Sequence, residues 1–237
     1  MFFTPYDLLI IPPLLLAMFA QAKVRSAYAK YSQIGTRSGL TGAEVAYRVL
    51  TDADVGIAGD GRMVAPGAIA GIEPVPGNLT DHYNPRTRML GLSEGVFNGR
   101  SIAALGIAAH EVGHAIQHAR GFAPLALRTM IYPVCNIGST LAWPLFFIGI
   151  IARFPMLIQA AIIFYTLAVV FTVITLPVEF DASRRALKAL GSGGYLDAEE
   201  LQGARSVLRA AALTYVAATA MAAAQLLRMV LIGRGRD

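Results

Sequence analysis

The chain is short of charge, of sulfur and of histidine. Asp, Glu, Lys and Arg make up 15% of its 237 residues, against about 25% in an ordinary soluble domain, so a purely water-soluble globule is excluded. A single cysteine, Cys135, rules out any intrachain disulfide and fits a reducing compartment. Basic residues are missing from the opening MFFTPYD, which holds one Asp. A secretory signal starts basic, so the first apolar run reads as a retained anchor, although Ala20-Gln21-Ala22 resembles a cleavage site. No internal repeat is present. Only four histidines occur, and three of them fall in one short stretch.

What is plentiful is apolar surface. Hydrophobic residues account for 55% of the chain, concentrated in residues 6–22, 131–152, 156–178 and 210–232. Each run approaches the roughly 20 residues that cross a hydrocarbon core. A short turn around Arg153 and Pro155 joins the second and third. The expected architecture is mainly α: an integral, multi-pass protein of the cell (inner) membrane, with about four transmembrane helices. Lys23, Arg25 and Lys30 follow the first run, Arg120 and Arg128 precede the second, and Arg184, Arg185, Lys188, Arg205 and Arg209 lie between the third and fourth. This bias puts the N-terminus outside and residues 23–130 plus 179–209 in the cytoplasm. Arg153, Arg234 and Arg236 dissent. Basic residues facing the inner leaflet also explain most of the net charge of +5, so the expected partner is the lipid bilayer and not nucleic acid. The fourth run is rich in Ala, and small residues permit close packing within the chain or between copies, which leaves a homo-oligomer open.

Residues 1–237 read as one membrane domain whose non-spanning part has its own organisation. TGAEVAYRVL (41–50) carries a capping box, Thr41 with Glu44, and reads as a helix. From Asp52 to Asn98 Gly and Pro recur, and the runs AGIEPV and RMLGLS predict strands. A new helix starts at Asn98, Gly99 and Ser101 and ends at Arg120 and Gly121. After the third run, EFDASRRALKAL continues helically to GSGGY. Asp197 then caps a helix, with Glu200 at the capping-box position, that runs into the fourth span.

The helix that starts at Asn98, Gly99 and Ser101 contains HEVGH in a run of Ala, Gly, Ile and Val. Polar groups in such surroundings need partners. His110 and His114, four residues apart, share one helical face and suit neighbouring corners of a tetrahedral metal. Glu111 lies about 100° around the helix, placed to hold a water and take its proton. A third ligand is required. The His-rich solution of the metzincins fails, because Gln117 and Arg120 stand where Gly and His are needed. A distant carboxylate remains. Asp52, Asp54, Asp60, Asp197, Glu199 and Glu200 fall in turns or helix starts, and Glu44 belongs to a cap. Glu179 directly follows the third apolar run on a helix and is the first choice, with Asp181 second, either as ligand or as a carboxylate orienting an imidazole. His118, one turn past His114, reads as a donor to the substrate, a support for the site, or packing at the helix end. His82, in a turn beside Asp81 and Tyr83, reads as cleft lining or as surface.

Three separated motifs, LTDHYNPRTRMLGLSEGVF, AALGIAAHEVGHAIQHA and LPVEFDASRRAL, resemble in content and order those of the YugP-type membrane zinc metallopeptidases. These are similar in turn to the membrane gluzincins that include the HtpX-type and CAAX prenyl proteases. The resemblance covers most of the chain. It implies a small gluzincin-like α+β catalytic region, Zn2+ bound by His110, His114 and Glu179, and Glu111 as general base. It also implies that Met89, Leu90, Gly91 and Leu92 form an edge strand along which an extended peptide lies. In the broader relatives an Asp follows the ligand Glu by four residues. Here that residue is Ser183, which leaves open what orients the imidazoles, Asp181 being the substitute at hand. The expected function is a zinc endopeptidase acting on protein or peptide substrates, membrane-associated ones in particular, at the cytoplasmic membrane surface. The alternative is a non-catalytic scaffold stabilised by zinc, which would need a fourth protein ligand such as His82.

Overall fold

The computed structural model describes residues 5–58 and 67–234. Asp60 and Arg236 lie outside them. A 3-10 turn over Pro5–Ile10 leads into α1 (Ile11–Tyr31), followed by α2 (Gly42–Asp52), β1 (Gly71–Val75), β2 (His82–Asn84), β3 (Met89–Ser93) and the single turn α3 (Glu94–Phe97). Four helices complete the order: α4 (Ile102–Ala119), α5 (Ala123–Ile151), α6 (Pro155–Ser192) and α7 (Ala198–Arg234). Among the described residues, Pro5–Tyr31, α5, α6 and α7 are long and apolar enough to cross a membrane. The four apolar runs fall on these helices, with residue 152 one past the end of α5. The helices outrun the apolar runs because their polar continuations stay helical, α6 reaching Ser192 and α7 starting at Ala198.

The chain divides into two compact units. One takes in the described residues of Met1–Gln21, Ala126–Pro177 and Leu213–Asp237, and the other Ala22–Leu125 and Val178–Ala212. The first is helical throughout, and its small core gathers Phe146, Ile158, Ala161 and Met229. Within it Asp7 is ion-paired with Arg228 at 2.5 Å, so this arginine is neutralised inside the bundle instead of stretching alone to the interface.

The second unit wraps helices around a three-stranded sheet. In α2 the Thr41 hydroxyl accepts from the Glu44 amide (3.2 Å), while the Glu44 carboxylate accepts from the Thr41 amide (2.7 Å). Val45, Ala46, Val49 and Leu50 then repeat at i, i+1, i+4 and i+5 and form the buried face. Helix α4 starts where the Ser101 hydroxyl accepts from the Ala104 amide and ends at Gly121, whose φ of 62° is the left-handed conformation that glycine adopts without penalty. Being apolar nearly all round, α4 is sequestered over most of its length. The strand order is β1-β3-β2, with β1 parallel and β2 antiparallel to β3.

Met89, Leu90, Gly91 and Leu92 therefore lie in the central strand, and the expected edge strand is corrected: the edges are β1 and β2. The reason is visible in the burial. From Leu90 to Ser93 every residue of β3 is enclosed, as in strands covered on both faces. Strand β2, only His-Tyr-Asn, is too short and polar to show a period, and it replaces the turn expected there.

Candidate metal centre

Helix α4 carries both imidazoles and α6 brings the carboxylate to them. The His110 and His114 rings stand 4.8 Å apart at 84°. Glu179 is 1% exposed, and its Oε2 lies 3.3 Å from His110 Nε2 and 3.6 Å from His114 Nε2. The three donor atoms are all within 4.8 Å of one another. This convergence depends on Gly113, the fourth residue of HEVGH. A Cβ there would stand 2.6 Å from the Ala182 carbonyl oxygen and 3.0 Å from its Cα. The backbones of α4 and α6 touch at this point, one turn from the carboxylate.

The donor set fits zinc. Two imidazole nitrogens and one carboxylate are the His2Glu set of hydrolytic zinc sites, and bonds of about 2.0–2.1 Å in a tetrahedron put neighbouring donors roughly 3.3 Å apart. The observed 3.3 and 3.6 Å match that edge and exceed the usual span of an N–H···O hydrogen bond.

Both rings are held so that Nε2 faces the shared point. Nδ1 of His110 is 3.1 Å from the Ser183 hydroxyl, and Nδ1 of His114 is 3.1 Å from Gln117 Oε1. Gln117 is wholly buried, and its amide donates to the Val178 carbonyl (2.8 Å) and to Asp181 (2.9 Å). Asp181 in turn accepts from Arg185 at 2.5 Å and pairs with Arg184. The Arg185 guanidinium covers the Phe122 ring. Ser183, the residue that departs from the broader pattern, is thus the group beside His110, while Asp181 acts on His114 through Gln117. Outer partners of this kind fix ring orientation and raise ligand basicity.

The local field is negative. Burial pushes the His114 pKa down, but the neighbouring carboxylates of Glu179 and Glu111 outweigh it and hold the value above that of an ordinary histidine. A field that favours a proton on this ring also favours a divalent cation beside it. Glu111 is half-buried, and its charge also reaches Asp81, whose pKa is raised first by burial and further by Glu111. Asp81 accepts from the amide (2.8 Å) and hydroxyl (3.1 Å) of Ser93, tying the start of β2 to the end of β3.

His118 shares a 2.7 Å hydrogen bond between its Nδ1 and the Tyr83 hydroxyl. Burial, aided by Arg88, lowers its pKa, and burial pushes the Tyr83 phenol up to about 12. His82 is exposed, in β2 and not in a turn; its Nδ1 is 2.9 Å from the Thr80 carbonyl, and its ring lies against Gly91. Among the described residues, the converging donors are His110, His114 and Glu179.

A family described as "Putative neutral zinc metallopeptidase" matches residues 6–234. The chain belongs to this family. A relative from Bacillus subtilis (strain 168), named "Putative membrane protease YugP", is 46% identical over 230 residues, which is 97% of each chain. No solved structure matches the chain. A metallopeptidase of this family takes Zn2+ as its cofactor, and His110, His114 and Glu179 form a group that could hold that ion. Sequence reasoning missed Gln117 and Ser183 beside the imidazoles, and the Tyr83–His118 and Asp81–Ser93 hydrogen bonds. For Gln117 a signal existed: it stands three residues after His114 on the buried face of an apolar helix, where an amide needs partners.

Proposed function

We propose that the chain is a zinc-dependent endopeptidase that hydrolyses peptide bonds at the cytoplasmic surface of the cell membrane. The observation that carries this is the convergence of His110, His114 and Glu179 on one point, with Glu111 next to His110 on the same helix. Zinc held there supplies Lewis acidity and makes water a nucleophile near neutral pH. The Glu111 carboxylate accepts a hydrogen bond from the attacking water, takes its proton as the peptide carbonyl is attacked, and passes that proton to the leaving amine. Ser183 and Gln117 keep the two imidazoles in the tautomer that leaves Nε2 free. An extended protein or peptide substrate pairs with the outer edge of β2, the edge strand whose Tyr83 is bonded to His118 of α4. The run of basic residues between the spans supports the cytoplasmic side.

The test uses purified full-length protein and a peptide library, with and without chelator. Glu111→Gln is expected to keep its zinc and lose cleavage by about 10²- to 10⁴-fold. Turnover at the wild-type rate in that variant would overturn the role of Glu111. Counting donors by metal-edge absorption addresses the scaffold alternative: three protein donors plus water support the enzyme, and four protein donors support the scaffold.

A further inference from the structure

The described residues of the helical unit carry positive charge that they do not themselves balance. Among its described residues the acid is Asp7, and Asp7 is paired with Arg228. Arg128 lies over the Phe171 ring. Arg153, in the turn between α5 and α6, and Arg234, at the end of α7, are both exposed, with no carboxylate partner among the described residues. Arg153 also adopts a φ of 53°, a conformation in which glycine would be less strained, so the needs of the turn do not explain an arginine there. The two arginines line one cavity of about 690 Å³. Ile150, Ile158, Ile162 and Val230 form its apolar wall.

We infer that this cavity binds an anionic phospholipid, with the phosphate held between Arg153 and Arg234 and the first acyl carbons against the isoleucine wall. Three features select this occupant. Two guanidinium groups on one cavity, with no carboxylate partner among the described residues, call for an anion, and arginine pairs well with phosphate oxygens through its forked donors. The volume falls in the roughly 300–1,000 Å³ range of sites for sizeable organic ligands and exceeds many times the ~30 Å³ share of a water molecule, so a bare phosphate would leave most of it empty. The cavity lies where the ends of three helices long and apolar enough to span a membrane come together, and it is at the ends of such helices that hydrocarbon gives way to headgroups. Arginines that merely reach into the headgroup layer would need no shared cavity.

The experiment is native mass spectrometry of the full-length protein in detergent, titrated with phosphatidylglycerol, with phosphatidylcholine and with inorganic phosphate. Wild type is expected to retain one phosphatidylglycerol in preference to phosphatidylcholine. R153Q/R234Q is expected to weaken that binding by at least about tenfold, while R153K/R234K keeps part of it and R205Q/R209Q, the same charge change elsewhere, leaves it intact. Should R153Q/R234Q fail to fold by circular dichroism, Val230→Trp tests the cavity without altering charge and is expected to displace the lipid. Equal retention of the two lipids, undiminished binding in R153Q/R234Q or in Val230→Trp, or displacement of the lipid by millimolar inorganic phosphate would each overturn the inference. This proposal stands apart from the peptidase reading and survives its failure.

Discussion

In the unit that holds the metal centre, Leu50, Leu90, Leu92 and Leu105 are completely enclosed, whereas in the helical unit Met130, Ile137, Ile151, Met156 and Ile163 are each more than 60% exposed. In water such a collection of bare apolar side chains would be a patch calling for a partner. In lipid it needs none, because acyl chains are as apolar as leucine. The two units are built for different solvents. One buries apolar area inward and the other turns it outward, so the polar network that supports a metal, with Gln117, Ser183 and Asp181, is assembled where an enclosed core already holds α4 and α6 in register.

The sharpest way to break this comparison is Glu179→Ala, which removes the one candidate metal donor supplied by α6. Zinc affinity is expected to fall by more than about a hundredfold, beyond what loss of a supporting residue produces, as read by metal analysis after dialysis. Unchanged zinc content would move the third ligand elsewhere, first to Asp181.

Core truncation tests the two-solvent contrast itself. Leu92→Ala is expected to destabilise the protein by about 2–5 kcal/mol. Ile137→Ala, an equally apolar position facing outward, should cost less than roughly 1 kcal/mol, in line with surface substitutions that disturb no packing. Both are measured by chemical unfolding in the same detergent, and equal losses would erase the distinction.

Much of this was legible in the amino-acid order because it is local. The His110–His114 spacing, the capping boxes at Thr41 and Asp197 and the four apolar runs depend on neighbours a few residues away. Glu179 stands out because it directly follows an apolar run on a helix, with Asp181 second, while acids such as Asp52, Asp54 and Asp197 have turn or cap roles. The supports did not emerge, because they exist only once α6 lies against α4: Ser183 is 73 positions from His110, and Gln117 is 64 from Asp181. Strand β2 was illegible for the opposite reason, three polar residues being too few to carry a period. Once β2 is added to the sheet, MLGLS can no longer be an edge, and its unbroken burial was the missed clue.

The supports themselves are the next test. Gln117→Leu and Ser183→Ala are expected to lower zinc affinity about 10- to 100-fold, with the larger loss at Gln117, which also releases the Asp181 carboxylate and the Val178 carbonyl from their bonds. Competition with a chromophoric chelator measures both. No loss in either variant would mean that α4 alone orients the imidazoles.

The smallest effect concerns pH. Glu44 is held below its ordinary value of 4.5 by the Thr41 amide, and Asp197 below its ordinary 3.8 by the amide of Glu200. A lowered folded pKa contributes stability that is present above the unfolded value and lost as pH falls through the folded one. The thermal midpoint is therefore expected to hold from neutral pH down to about 5 and to drop below about 4, with a shallower drop in Glu44→Gln/Asp197→Asn. An identical profile in that variant would assign the acid sensitivity to other carboxylates.

The contact between Gly113 and Ala182 works as a spacer of zero thickness between two rods. The distance from the imidazoles to the carboxylate is set not by a flexible arm but by how closely one main chain can rest on another, and the smallest addition at residue 113 would wedge the rods apart. The bite of the metal centre is thereby calibrated by a hydrogen atom, at a position that ligates nothing.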